Sequence, residues 1–208
     1  DIMSGVTTGD KLKAALLTKL PVNMIINSFH KGDENDTAVI LFTSGSEKDP
    51  KAVQLSHRNI ASNIESFGEY VHISESDILL ANLVFFHVFG LTVNLWVTFY
   101  YGMTMVAYPN PLDFQTISSI ARDEKPTIMV GTPSFFWGYL NKSEQGDFKT
   151  LRLMVAGADK CPDALREGYM KKHGVTLLEG YGATETSPVI SVNSHEFNRP
   201  GSTGKVLP

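Results

Sequence analysis

A single cysteine among 208 residues, Cys161, excludes an intrachain disulfide and any cysteine-based zinc cluster, and it suits a reducing compartment. Basic blocks are missing as well, and a formal net charge of -4 leaves nucleic acid without an electrostatic argument. No G-x-S-x-G elbow occurs and no histidine pair has metal-ligand spacing, which removes the commonest hydrolase and zinc-site readings. The opening residues are not expected to be a signal peptide. The stretch Val84 to Tyr101 is only marginally long enough for a membrane span; it holds His87, Thr92, Asn94 and Thr98 without basic flanks, so a buried helix is expected. Internal repeats and low-complexity segments are also absent. With 42% apolar and 19% charged residues, the chain reads as an ordinary soluble globular protein able to bury a real core. Asp1 is not an initiator methionine and Gly201 to Pro208 reads as the middle of something, so an excerpt of a longer protein is expected.

The stretch that organises the rest is Val39 to Ser56, VILFTSGSEKDPKAVQLS. An apolar run stops at Thr43-Ser44-Gly45-Ser46, turns at Pro50-Lys51 and resumes in alternation with Val53 and Leu55, which predicts a strand, a hydroxyl-rich loop and a second strand. Three hydroxyls and a glycine supply donors and backbone freedom, and Lys51 adds a positive charge: the needs of an oxyanion, most plausibly a polyphosphate. Gly45 and Lys51 stand six apart, as in the P-loop of common nucleotide hydrolases, but that reading fails. Pro50 replaces a second glycine, Ala52 replaces the magnesium-binding hydroxyl, and a strand follows where a helix should begin. A polar hairpin loop with no ligand is the plain alternative.

Residues 10 to 20 carry Leu12, Ala15, Leu16 and Leu20 at helical spacing, with Thr8 or Asp10 as cap and Pro21 as stop. A charged linker, Lys31 to Asp36, leads into the hairpin, after which Ser56 can cap a helix from His57 to Tyr70. Strands are then expected over 78–84, 104–107, 127–131, 151–156 and 176–178, alternating with helices over 89–101, 114–124, 134–140 and 162–173. That rhythm predicts an α/β layered sheet with flanking helices and a site at the carboxyl ends of its strands, where Gly131-Thr132, Gly157-Ala158 and Gly180 to Thr184 each follow an expected strand. The expected division is a lead-in helix and linker over 1–36 and a core over 37–208, incomplete at both ends.

Thr43-Ser44-Gly45-Ser46 with Pro50-Lys51 resembles the phosphate-binding signature of the adenylate-forming (AMP-binding) superfamily, which includes the acyl-CoA synthetases. Glu179-Gly180-Tyr181-Gly182-Ala183-Thr184-Glu185-Thr186 resembles that superfamily's adenine and magnesium motif, in the right order and over a hundred residues on. Thr7-Thr8, the FTSGSE run, Phe86 to Val93, Tyr108 to Leu112 and Val155 to Ala158 are similar to one branch, the bifunctional acyl-acyl-carrier-protein synthetases / 2-acylglycerophosphoethanolamine acyltransferases. The resemblance covers nearly the whole chain. It implies part of the N-terminal domain of the adenylate-forming fold, without the mobile C-terminal lid.

The implied activity is ATP- and Mg2+-dependent activation of a long-chain fatty acid to acyl-AMP. The acyl group would pass to the thiol of acyl carrier protein, or of CoA, and in the branch named above onward to a lysophospholipid through another domain. Because such a lid carries further catalytic groups, these 208 residues alone are expected to fold without turnover. The excerpt is expected to be soluble, and the full protein to work at the cytoplasmic face of a bacterial inner membrane. By resemblance, Thr43, Ser44, Gly45, Ser46 and Lys51 would cradle the β and γ phosphates, Thr184 would donate to the α phosphate and Glu185 would hold magnesium. Tyr181 would lie on adenine, with Gly157, Ala158, Glu179, Gly180 and Gly182 around the base and acyl carbonyl. His87 reads plainly as a hydrogen-bonded histidine in an aromatic core; the resemblance implies a gate or orienting role at the junction with the acyl tunnel. Phe135, Phe136, Trp137, Leu91 and Leu95 are candidate tunnel walls, though such spacing also suits simple core.

Glu47-Lys48 departs from the threonine and glycine usual there, and Ala52 from a glycine; glutamate at this place fits the acyl-carrier-protein branch. The rival readings are a long-chain acyl-CoA synthetase and a nucleotide-binding module without turnover. His72 and Asp77 have the H-x4-D spacing of glycerolipid acyltransferases, without the accompanying basic motif, and are read as coincidence. Cys161, before Pro162 at a helix start, is read as structural.

Overall fold

The computed structural model describes residues 5–29, 31–43 and 50–208. The chain divides into two compact units, Asp1–Glu34 and Asn35–Pro208. In the first, helix α1 (Thr8–Leu17) is followed by α2 (Val22–Ser28). Thr7, rather than Thr8 or Asp10, is the cap of α1. Its hydroxyl accepts from the Asp10 N–H while the Asp10 carboxylate accepts from the Thr7 N–H, a reciprocal box that satisfies two end donors. Pro21 ends nothing further on; its fixed φ, lacking an N–H to satisfy, opens the second helix, which periodicity alone did not reveal.

The second unit begins with the hairpin β1 (Thr37–Thr43) and β2 (Lys51–Ser56), paired antiparallel from Thr37↔Ser56 to Thr43↔Lys51. Ser56 caps α3 (His57–Tyr70) through a second reciprocal box with Asn59. Ile60, Ile64 and Phe67 then fall at i, i+4 and i+7 on one buried face.

Seven strands follow: β3 (Ile78–Ala81), β4 (Thr104–Ala107), β5 (Ile128–Gly131), β6 (Leu153–Ala156), β7 (Leu177–Gly182), β8 (Val189–Val192) and β9 (Lys205–Val206). They form one sheet in the order β4-β3-β5-β6-β7-β8-β9, parallel from β4 to β7 and antiparallel beyond. The parallel strands are apolar on both faces, as a sheet covered on both sides must be. Leu79, Ile128, Val130, Leu153, Val155 and Leu178 point to one core, with α3 and the helical run Val88–Tyr101 above them. Leu80, Met129, Met154 and Leu177 point to the other, under α6 (Phe114–Glu124), α7 (Pro133–Lys142) and α8 (Asp163–His173). The run Val88–Tyr101 is built as α4 (Val88–Gly90), a π-helical turn Leu91–Trp96 and α5 (Val97–Tyr101). Among the described residues no helix is long and apolar enough to cross a membrane.

One element differs from the sequence expectation in a way that matters. β7 does not stop at Leu178 but continues through Glu179, Gly180, Tyr181 and Gly182. Its extension is paid for by β8, which pairs Gly180↔Val192, Tyr181↔Ser191 and Gly182↔Val189. Only glycine fits the last of these: a Cβ on Gly182 would lie 2.2 Å from the Pro188 carbonyl oxygen. Gly180 to Gly182 therefore belong to the sheet itself rather than to a loop after it.

Candidate active site

At the carboxyl edge of the sheet, the loop after β6 and the end of β7 face one another. Gly157 continues β6, its N–H donating to the Gly131 carbonyl at 3.0 Å, and Ala158 turns the chain with φ +68°. A Cβ on Gly157 would press on the Phe89 ring at 3.2 Å, so the glycine lets that ring close over the loop. Opposite, Gly180, Tyr181, Gly182 and Thr184 line the same opening, and His87 stands at it too. Tyr181 is 55% exposed, with its ring free to accept a planar partner.

This opening is the mouth of an apolar cavity of about 290 Å³. The cavity runs back under the sheet face covered by α3, past Val130 and Val155, then Ile128 and Leu153, to Val71, Ile73 and Met103. Leu153, Val155 and Gly157 are alternate residues of one line, so the passage spans roughly 13 Å from the third-from-mouth row to the mouth at about 3.3 Å per residue. Val93 and Val97 roof it. None of Phe135, Phe136, Trp137, Leu91 and Leu95 lines it. Phe136 instead packs, fully buried, in the core on the other face, because α7 lies on that side of the sheet.

The turn after β7 is a short 3-10 segment, Thr184–Thr186, held by the Thr186 hydroxyl, which donates to the Pro188 carbonyl at 2.6 Å and accepts from the Ala183 N–H at 3.2 Å. It projects Glu185 into solvent, where its carboxylate has no hydrogen bond or ion pair among the described residues. β2 packs against this turn, bringing the hairpin that ends in Thr43 and Lys51 beside the mouth. Ser44, Gly45 and Ser46, together with Glu47-Lys48, lie outside the described residues. A magnesium ion needs only one or two carboxylates where substrate phosphates complete its shell, so exposed Glu185 fits such a role; no cluster of three or more metal-ligating side chains occurs among the described residues.

His87 is exposed rather than embedded in an aromatic core, and its Nδ1 accepts the Phe89 N–H at 3.2 Å, capping α4. That bond leaves Nε2 directed elsewhere and fixes the ring at the junction of mouth and cavity. Glu179 does not line the cavity. Its carboxylate, buried, accepts from Arg166 Nη1 and the Gly201 N–H, each at 2.8 Å, and its carbonyl accepts from the Asn193 N–H at 2.9 Å. Sequence reading missed Asn63, whose amide from α3 bonds both ways to the Val189 backbone (3.0 and 2.7 Å) and pins β8 behind the mouth. A polar residue among the apolar positions of an amphipathic helix was its one signal.

The remaining candidates are structural. Asp77 is buried and taken by Arg152 Nε and the Thr127 hydroxyl, each at 2.7 Å, while His72 meets Glu196 instead. Burial alone would raise the Asp77 carboxyl; the hydrogen bonds of Arg152 and Thr127 outweigh it and hold the group below its usual range. Cys161 is buried, and burial, then the Glu179 charge, pushes its thiol up to about 11, away from reactivity.

The sequence profile of the AMP-binding enzyme family matches residues 6–208. The chain belongs to that family. Among proteins similar to this AMP-binding enzyme chain is the long-chain-fatty-acid–CoA ligase of Bacillus subtilis (strain 168), 32% identical over 176 residues, covering 82% of this chain and 31% of that protein. The ligase of the same name from Salmonella typhimurium is 31% identical over 180 residues, covering 83% and 32%. Among solved structures, apo MatB from Rhodopseudomonas palustris superposes with a TM-score of 0.78 at 29% identity, over 87% of this chain and 36% of that one. The Bacillus subtilis o-succinylbenzoate coenzyme A synthetase MenE, in complex with ATP and magnesium ion, gives 0.76 at 28% identity, over 84% and 36%. The chain spans about a third of the length of the curated relatives it matches.

Proposed function

We propose that these residues bind ATP and a long-chain fatty acid for the reaction that joins them as acyl-AMP with release of pyrophosphate. The observation that carries this reading is the apolar cavity opening directly between Gly157-Ala158 and Gly180 to Thr184. A nucleotide site alone has no use for such a passage, and an apolar pocket alone has no use for a glycine-lined, tyrosine-bearing mouth. The fatty-acid–CoA ligases among its relatives support the same substrates.

A carboxylate attacks the α phosphate only if two anions are held together and in line. On this reading Tyr181 and the Gly157-Ala158 loop, which line one opening, sandwich the base, and Thr184 donates to the α phosphate. Lys51, at the end of the hairpin ladder, neutralises the departing pyrophosphate, in a cradle formed with Thr43, Ser44, Gly45 and Ser46. His87 orients the acyl carboxylate where cavity meets mouth. Magnesium bound through Glu185 would offset charge on the phosphates. The likeness of Phe86 to Val93 and the FTSGSE run to the acyl-carrier-protein branch favours that protein's thiol as acceptor, with a lysophospholipid acylated afterwards by another domain of the whole protein, at the cytoplasmic face of the inner membrane. CoA is the second reading, favoured by the names of the relatives.

The test is exchange of labelled pyrophosphate into ATP, in a chain carrying these residues together with the remaining length that its relatives have. Exchange that requires a long-chain acid is expected; no exchange with any carboxylic acid in a folded, ATP-binding protein overturns the reading in favour of a nucleotide-binding module. Glu185→Gln should weaken Mg·ATP binding far more than AMP binding, and Lys51→Ala should likewise spare AMP.

A further inference from the structure

We propose that Arg166 is a positioning residue for the nucleotide mouth: one guanidinium fastens together the two chain segments that carry the walls of the opening, and its partner Glu179 holds the turn behind them. Arg166 lies on α8, outside the cavity, and its side chain is 12% exposed. Nη1 donates to the Cys161 carbonyl at 2.9 Å and to Glu179 Oε2 at 2.8 Å, while Nη2 bonds Asp163. Cys161 ends the loop that starts at Gly157-Ala158, one wall of the mouth. Glu179 immediately precedes Gly180 and Tyr181, the other wall. The same Glu179 oxygen receives the Gly201 N–H, and the Glu179 carbonyl receives Asn193, whose Nδ2 donates to the Ser202 carbonyl at 2.7 Å and whose Oδ1 accepts the Arg199 N–H at 2.9 Å. Arg166 thus joins the end of the 157–161 loop to β7, and Glu179 joins β7 in turn to the turn at 199–202.

Stability alone gives no reason for this arrangement. A buried ion pair is often no better than apolar residues of the same volume, because desolvation offsets the attraction. What a guanidinium adds is a plane that can be fixed at one nitrogen while the other donates twice, which a lysine ammonium on a flexible stem does not offer. Here Nη2 is fixed on Asp163 while Nη1 holds the Cys161 carbonyl and Glu179 together, so the plane sets the distance between the two segments that carry the walls of the slot a base must enter. The inference rests on reading the mouth as a nucleotide site.

The experiment compares ATP with inorganic tripolyphosphate, which lacks the base, as ligands of the wild-type protein and of Arg166→Lys, Arg166→Met and the double variant Arg166→Met/Glu179→Gln, with thermal unfolding measured on each. The double variant removes the carboxylate that the single change would leave buried and unpaired. Expected is a loss of ATP affinity of roughly tenfold or more in the methionine variants, with tripolyphosphate binding unchanged and partial rescue in Arg166→Lys. Equal effects on the two ligands, unchanged ATP affinity, or failure of single and double variants alike to fold would overturn the proposal. A folded wild-type protein that binds no ATP would instead overturn the nucleotide reading on which it stands.

Discussion

The two faces of the seven-stranded sheet are built from the same strands, residue by alternate residue, yet one is solid and the other is hollow. Under α6, α7 and α8, Phe136, Tyr139, Phe148 and Tyr169 form a fully buried ring cluster with centroids 5.9 to 6.5 Å apart, three of the four contacts edge to face and Tyr139–Phe148 tilted. Their hydroxyls are spoken for, Tyr169 by the Phe136 carbonyl and Tyr139 by the Pro111 carbonyl, both at 2.9 Å. Under α3 and the Val88–Tyr101 run the inward strand residues are chiefly valine, isoleucine and leucine, with Phe67, Phe89 and Met103 beside them, and the space they enclose stays open to the mouth. Aliphatic side chains on a sheet can fill space as well as rings do. The hollow is therefore no shortage of apolar residues, and the face packed with rings is what holds the strands while the other face keeps a passage.

The largest effect expected from this contrast is on the solid face. Phe136→Ala should cost about 3–5 kcal/mol, because nothing nearby can collapse into the gap; chemical denaturation measures it, and a loss under 1 kcal/mol would show that this face is loosely packed after all.

Acid should strike the same face next. His173 packs edge-on to Phe148 at 5.1 Å and meets the Ser143 hydroxyl at 3.1 Å. Burial, then the Lys172 charge, against an opposing pull from Asp147, brings its imidazole down to about 4 from an ordinary 6.5. Between those values the unfolded chain binds a proton that the fold refuses. Stability is thus intact above pH 6.5 and falls as pH drops toward 4, by about 3 kcal/mol. His173→Gln should flatten that part of the stability–pH curve, and an unchanged slope would assign the acid loss to other groups.

Gly182→Ala should cost about 1–3 kcal/mol and widen the mouth, since a methyl cannot share space with the Pro188 carbonyl. Calorimetry with AMP reads the second effect. The smallest stability change belongs to the hollow face: Val97→Phe should alter folding by less than about 1 kcal/mol because the ring has space to enter, while removing fatty-acid binding and sparing AMP.

Much of this contrast could be read from residues alone, and the exceptions share a cause. Helix starts with a local chemical device were visible: Ser56 as a cap places α3 at His57, and β4 and α6 also begin and end where their apolar periods put them. The full length of β7 was not visible, because Gly180 and Gly182 are poor strand formers and become strand only through pairing with β8. Phe136 proved to be core, the plainer of its two readings, because aromatic residues at helical spacing say that a helix has a buried side, not which face of a sheet it covers. For the site, Gly157-Ala158 and Gly180 to Thr184 stood out because each follows an expected strand, His87 through the resemblance alone, and the structure gathers these at one opening. Arg166, Asn63 and Asn193 did not, since the bonds that tie them to β7 and β8 span 13, 126 and 14 residues and no local pattern marks them.

The central claim is that mouth and cavity form a single site for one molecule with a nucleotide head and an aliphatic tail. Calorimetric titration with a stable long-chain acyl-sulfamoyl-adenosine, compared with AMP, tests it most directly. The account predicts binding tighter than AMP by roughly 100-fold or more, with that advantage lost in Val97→Phe. An analogue that binds no tighter than AMP, or whose tail remains indifferent to Val97→Phe, would contradict it.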